Sequence, residues 1–408
     1  MIIKIKNIMK KSYIFLVLLG FVMLMSCEEK NSLPMVTDKV APGKVEIIGV
    51  TPINGGLLVE FNAPSDPDLL LIRGVYELVG GVKAEVQVSY YQNQLKVVGF
   101  GNTDERKVTL YAVDRSGNLS EPVEIKGTPL VSPLQLVKDS MSITADFGGA
   151  RFSWINKNAA PIAIDILAED SVTHKLIKYR TIYTSATKTS YAIRGLKPIP
   201  TLFGAIIRDQ WNNATDTIKP AEKRLTPIFE QKLNKKIMKL LLQCASSDTK
   251  FDAYGYRTEN VFDDDFATIG HSSGDKGYPQ IISIDLGVKV RLSRIRIYQR
   301  PNDTGPWIYS HGNPKAYDVY GAEELPANPN DLTQWTKLRP TCVSVKPSGD
   351  GLAITDEDVI HAKEGDEFDF DQLNKPQTIR YFRIAIKSTW DGAGFINFAE
   401  ISWWGLIL

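Results

Sequence analysis

Apolar and polar residues alternate with a period of two in runs along this chain. Val82-Lys83-Ala84-Glu85-Val86-Gln87-Val88-Ser89 does so without a break, which predicts a strand with one face in a core and the other in water. Leu57-Leu58-Val59-Glu60-Phe61 and Lys107-Val108-Thr109-Leu110-Tyr111-Ala112-Val113 behave alike. Turn-forming clusters such as Asn54-Gly55-Gly56 and Pro64-Ser65-Asp66-Pro67 separate these runs, so the early chain reads as a small antiparallel sandwich. Two stretches depart from the pattern. Phe229, Leu233, Ile237, Leu240 and Leu241 recur at helical spacing with lysines opposite, which predicts a packed linker helix or a strand of poor pattern between Phe229 and Gln243. Tyr13 to Met25 is apolar throughout and comes after Lys4, Lys6, Lys10 and Lys11. Its 13 residues fall short of the roughly 20 that cross a bilayer as a helix, so residues 1–26 read as a secretion leader removed from the mature protein.

An internal echo divides the rest of the chain. Tyr111-Ala112-Val113-Asp114-Arg115-Ser116-Gly117-Asn118 is repeated in its turn chemistry by Arg208-Asp209-Gln210-Trp211-Asn212-Asn213, 95 residues on from Asp to Asp. In each copy the residue three after the aspartate, Gly117 or Asn212, is a type that tolerates positive φ. Two tandem modules are expected, over 41–128 and 129–227, after a polar tether at 27–40 and before a third module at 228–408. Trp154 is expected in the core of the second module. Of Trp403 and Trp404, at the end of a predicted strand, one should be core and the other surface.

Composition narrows the functions open to the chain. It has 408 residues, 43% of them hydrophobic, enough for several cores. Lys+Arg 48 against Asp+Glu 47 gives a net charge of +1, so no basic field is present to gather phosphates and nucleic acid is not an expected partner. His-Glu-x-x-His, phosphate-binding glycine loops and Cys-x-x-Cys are all missing from the sequence. The three expected modules also fill the chain and leave no room for a catalytic barrel of about 250 residues, so the expected protein is not an enzyme. Beyond Cys27, Cys244 and Cys342 fit either one disulfide or two buried thiols. His174 and His361 read as surface residues.

Several segments resemble known families. Leu24-Met25-Ser26-Cys27 is similar to the lipobox of bacterial lipoproteins, which implies that Cys27 becomes a lipid-bearing N-terminus. Glu28-Glu29-Lys30 resembles the acidic surface-export tag of Bacteroidetes lipoproteins. Tyr191-Ala192-Ile193-Arg194-Gly195-Leu196-Lys197-Pro198, with Phe203-Gly204-Ala205-Ile206-Ile207 after it, resembles the sheet-to-sheet corner of fibronectin type III domains. From about residue 245, an ordered series resembles the coagulation factor 5/8 type C, or discoidin, family. It runs from Phe262-Asp263-Asp264-Asp265-Phe266-Ala267-Thr268 through Ile282-Ser283-Ile284-Asp285-Leu286-Gly287, Leu292 to Tyr298, Tyr317 to Gly321 and Tyr381 to Ile386, ending at Phe398-Ala399-Glu400-Ile401-Ser402-Trp403-Trp404-Gly405. The implied architecture is all-β: two tandem fibronectin III/Ig-like sandwiches, then a galactose-binding-like jelly roll. The layout also resembles Bacteroidetes surface lipoproteins of starch-utilisation-type glycan uptake systems, which implies an outer-membrane protein facing the cell exterior.

The discoidin resemblance implies two sites. Three adjacent carboxylates repel one another unless solvated or sharing a cation, and the family binds structural Ca2+ here. Carried over, Asp263, Asp265, Thr268 and Glu400 supply ligands, with the Ala399 carbonyl beside them; the alternative is a solvated acidic turn. A sugar has vicinal hydroxyls and an apolar C–H face, so it needs planar donors and an aromatic surface. The candidates are His271, Arg300, Trp307, Tyr309 and Trp390, with the loop Pro301 to Asn313 weighted for function. The alternative to glycan binding is an adhesion or structural protein whose last module binds a protein partner.

Overall fold

The computed structural model describes residues 38–274, 277–301, 307–370 and 377–408. The leader, Cys27 and all but the end of the tether lie outside the described residues. Seven strands, β1 (Glu46–Ile53), β2 (Gly56–Asn62), β3 (Leu69–Glu77), β4 (Lys83–Ser89), β5 (Gln94–Val98), β6 (Arg106–Asp114) and β7 (Val123–Gly127), make two facing antiparallel sheets, ordered β1-β2-β5 and β4-β3-β6-β7. The alternating residues do the packing: Leu57, Val59 and Phe61 of β2 and Val108, Leu110 and Ala112 of β6 all enter one core.

A short helix, Pro133–Ser140, opens the second module and buries Leu134 and Val137 against it. Pro133 begins the helix, where its missing N–H costs nothing. Strands β8 (Ser142–Asp146), β9 (Gly149–Ile155), β10 (Ile162–Glu169), β11 (Leu176–Thr184), β12 (Lys188–Ala192) and β13 (Phe203–Arg208) form sheets β12-β9-β8 and β11-β10-β13. Trp154 is buried among Phe152, Ile164, Phe203 and Ile207, so its ring serves packing.

The repeated turns share one hydrogen-bond pattern. Asn118 donates its backbone N–H to Asp114 Oδ1 at 2.8 Å and its side-chain amide to Asp114 Oδ2 at 2.8 Å. Asn213 does the same to Asp209, at 3.0 and 2.8 Å. Gly117 at φ 84° and Asn212 at φ 62° take the left-handed position between them. Asn213 also donates to the Gly99 carbonyl at 2.9 Å, joining the second turn to the first module.

No α-helix forms between Phe229 and Gln243. Instead β14 (Gln231–Lys232), a 3-10 turn at Lys235–Ile237 and β15 (Lys239–Leu240) lie along the third module. The edges of β24 (Glu400–Ile407) and β17 (Gln280–Tyr298) take the hydrogen bonds of β14 and β15 respectively, while Leu233, Met238 and Leu241 turn inward. Sheet pairing thus overrides the helical spacing.

The remaining strands are β16 (Gly270–His271), β18 (Pro314–Ala322), β19 (Thr336–Lys337), β20 (Cys342–Val343), β21 (Asp366–Asp369), β22 (Thr378–Thr389) and β23 (Asn397–Phe398). The main sheet runs β14-β24-β17-β22-β18-β19, with β15 and β21 joining β17 and β20 joining β18. β17 is 19 residues long and breaks register between Asp285 and Val290, where Gly287 stands at φ 77°. Its first half pairs with β22 and its second with β24 and β21, around a core that includes Ile284, Ile295, Phe382 and Trp403. Trp403 is core, while Trp404 is half-buried under the Arg294 guanidinium at 4.1 Å. Cys244 and Cys342 are free, buried thiols in different clusters.

Candidate functional site

The loop that leaves β17 is held from below by two buried asparagines. Asn313 accepts the Arg300 N–H at 2.8 Å and donates to the carbonyls of Trp307 at 2.7 Å and Ser310 at 3.1 Å. Asn397 donates to the His311 carbonyl at 2.7 Å. The backbone between is bent back sharply: Tyr309, His311 and Gly312 stand at φ 52°, 47° and 78°. A non-glycine residue in such a conformation costs on the order of 1–3 kcal/mol, a strain that clusters at functional sites. Gly312 has a second reason to be glycine, since a Cβ there would lie 2.7 Å from the Phe395 ring. Residues 302–306, part of the loop weighted from sequence, lie outside the described residues.

Arg300, Trp307 and His271 belong to one continuous patch. The Arg300 guanidinium lies 4.5 Å from the Trp307 ring centroid, and the Trp307 ring 4.3 Å from that of His311. His311 meets Phe395 edge-on at 5.2 Å, and Phe395 stacks on His271 at 5.0 Å. Beyond His271, Tyr254 packs edge-on at 5.0 Å and is 82% exposed. His311, Phe395 and Tyr254 escape sequence reasoning. His311 shares the Trp307 loop, a signal that was available; Phe395 and Tyr254 come from other loops and carry none.

His271 is fixed by the pairing of β16 with β23. Its Nδ1 lies 2.7 Å from the Ser272 carbonyl, an acceptor, so Nδ1 carries the proton and Nε2 is left as an acceptor. Burial holds its pKa below the ordinary histidine value, and the neighbouring Arg300 and His311 charges push the same way. His311 is lowered by burial and by Arg300. At neutral pH the patch therefore presents a cationic fork, neutral imidazoles and aromatic faces.

Tyr309 and Trp390 sit elsewhere in the loop packing. Tyr309 is buried, with its hydroxyl 2.9 Å from His361 Nδ1 and its ring edge-on to Trp390 at 5.1 Å. Both pack with Ile308, Val359 and Ala362 beneath the helix Asp356–Glu364, and Lys315 Nζ stands 4.3 Å from the Trp390 ring centroid. Tyr309 is thus a packing residue, a correction to its expected place at the ligand; its left-handed φ belongs to the bend that turns it inward. His361, expected free on the surface, anchors that hydroxyl.

The residues expected to hold calcium do not fit an ion. Asp263 accepts from Thr268 Oγ1 at 3.0 Å and from Asp265 N at 2.8 Å, and Asp265 accepts from Ala267 N at 2.9 Å, so these oxygens stabilise their own turn. Glu400 is fully buried and accepts from Asp264 N at 2.9 Å and Ile401 N at 3.1 Å. Lys235, itself 2% exposed in its side chain, brings Nζ to 2.8 Å from Glu400 Oε1 and 3.0 Å from Asp264 Oδ1. A divalent ion at Glu400 would meet that ammonium head-on. The proposed set Asp263, Asp265, Thr268, Ala399 and Glu400 is therefore corrected: its buried carboxylate is neutralised by a lysine from the linker. Burial still pushes the Glu400 carboxyl up to about 7, against the pull of Lys235.

Three family models match in succession, each a domain of unknown function: DUF4959 over residues 42–129, DUF5126 over 130–236 and DUF5000 over 258–405. No curated protein matches the chain. Among solved structures, the chain is similar to a SusE-like protein at 27% identity, over 67% of this chain and 98% of that one, with a TM-score of 0.43. It is also similar to the C-terminal domain of a chitobiase from Bacteroides fragilis at 18% identity, over 44% of this chain and 99% of that one, TM-score 0.30. A two-domain fibronectin type III segment of chicken tenascin matches at 16% identity, over 46% of this chain and 99% of that one, TM-score 0.21.

Proposed function

We propose that this protein is a non-catalytic, lipid-anchored surface protein that binds carbohydrate through the loop patch of its third module. One observation carries the reading: Arg300, Trp307, His311, Phe395, His271 and Tyr254 form an unbroken patch although they come from three separate loops and the short strand β16. Its chemistry suits a sugar. The guanidinium offers paired donors for vicinal hydroxyls, His271 Nε2 offers an acceptor, and the exposed Tyr254 ring offers a face for C–H stacking. Holding Arg300 against Trp307 reduces the entropy lost when a ligand is gripped. The lipobox-like Leu24-Met25-Ser26-Cys27 supports attachment to the outer membrane, and the acidic segment behind it supports an outward-facing position in a glycan uptake system.

A glycan array on the purified protein tests this. Binding to a defined glycan is expected, with at least a tenfold loss in the Arg300→Ala/Trp307→Ala variant. Binding that survives the double variant removes the patch from the account, and capture of protein partners without any glycan favours the adhesion reading. The anchor is tested separately: labelled fatty acid should enter the wild type and not Cys27→Ala.

A further inference from the structure

A cleft of about 1240 Å3 separates the second module from the third, on a different part of the molecule from the Arg300 patch. One wall is the outer face of the β12-β9-β8 sheet. Ser142, Ser153 and Ser190 stand there in direct cross-strand register, three hydroxyls in a row. Arg151, on the same face, reaches Ser190 Oγ at 3.4 Å. The opposite wall is the segment around Arg339 and β21, with the Arg339 guanidinium 5.0 Å from the Phe368 ring centroid.

Among the described residues, charge in the cleft does not cancel. Arg151 is matched by Asp146 at 2.7 Å and Asp369 at 3.1 Å, and Lys337 by Asp318 at 2.7 Å. Glu367 is taken up by Arg294 and Arg296. That leaves Lys188, which is exposed and without an ion pair among the described residues, and Arg339, whose hydrogen bonds go to the carbonyls of Asp369 and Pro340. Among the described residues, two cations on facing walls therefore have no carboxylate. The walls are also fixed relative to each other. Asp369 accepts from Arg194 at 2.6 Å as well as from Arg151, and Arg194 reaches Glu230 at 3.2 Å, so the base of the cleft is clamped before any ligand arrives.

We infer that this cleft is a second binding site, for an anionic saccharide whose carboxylates meet Lys188 and Arg339 while its hydroxyls meet the serine row. The space is far larger than a lone anion needs, and the hydroxyl row would be idle against one. The site is independent of the Arg300 patch.

Isothermal titration with an oligogalacturonide, against neutral galacto-oligosaccharide of the same length and against inorganic phosphate, tests it on the full protein. The oligogalacturonide should bind, weaken as salt rises, and lose at least tenfold in affinity in Lys188→Ala/Arg339→Ala. It should bind normally to Arg300→Ala/Trp307→Ala, which separates this proposal from the first. Lys188→Glu, an exposed change that spares the fold, should abolish binding. Equal binding of the neutral oligosaccharide, binding of phosphate alone, no binding of the uronide, or indifference to Lys188→Glu each overturns the proposal.

Discussion

Lys235 and Glu400 face each other out of contact with water, and that position fixes what each variant should do. Removing one partner of a buried ion pair leaves the other charge uncompensated, at a cost of about 3–5 kcal/mol. Lys235→Met should destabilise the third module by that order in a denaturant titration, and adding Glu400→Gln should recover much of the loss. Because the cation is part of the chain, EDTA should leave Tm unchanged; a fall in Tm that calcium restores would contradict the Lys235 account. The histidines make a second prediction. Lowered folded-state values mean that the native chain binds fewer protons than the unfolded one just below 6.5, the ordinary histidine value. Their contribution to stability is therefore fully present above that pH and declines as pH falls through the window. Glycan binding should decline with it, since protonation would crowd His271 and His311 against Arg300. A His271→Gln/His311→Gln variant should flatten the acid limb; an unchanged limb would place the titration elsewhere.

Among the elements, the paired Asp–Asn turns show how far local chemistry can be read without coordinates. Asp114 and Asn118, like Asp209 and Asn213, satisfy each other within five residues, so the repeated turn shows in the spacing even though the asparagine partner does not. Each asparagine variant to alanine should cost about 1–3 kcal/mol, because acceptors that are buried at Asp114 and half-buried at Asp209 lose their partners. Asn213→Ala should cost more than Asn118→Ala, since it also frees the buried Gly99 carbonyl at the junction of the first two modules, whereas the further acceptors of Asn118, on Asp38 and Val40, are exposed to water. Equal losses in paired thermal melts would deny that extra role. Strands β2, β4 and β6 were legible for a similar reason: one wet face and one dry face leave a period of two. The linker was legible only as one of two readings, a helix or a strand of poor pattern, because its lysines and leucines keep helical spacing while the sheet edge claims the backbone. The patch was half legible. Arg300 and Trp307 share a loop whose composition no strand explains, whereas Phe395 and Tyr254 are joined to them only by the closing of distant loops. The calcium set failed for want of Lys235, which lies 28 residues before Asp263 and in a different element.

At the level of the whole molecule, the second and third modules are locked by arginines. Arg151 and Arg194 share Asp369, and Glu230 ties Arg194 to Arg294, so the linker is bound into the junction. Such a junction would present the loop patch at a set distance and angle from the tether. Asp369→Ala should loosen it, seen as a larger radius of gyration in solution scattering and faster proteolysis near Glu230, without loss of either module's own melting transition. An unchanged radius would mean that other contacts hold the two together. The central claim, that the loop patch grips carbohydrate, is tested most directly by measuring the affinity of the purified protein for its best array glycan beside the Arg300→Ala/Trp307→Ala variant. The account predicts saturable binding that the variant lowers at least tenfold while its Tm stays at the wild-type value; equal affinity in the two proteins would contradict it.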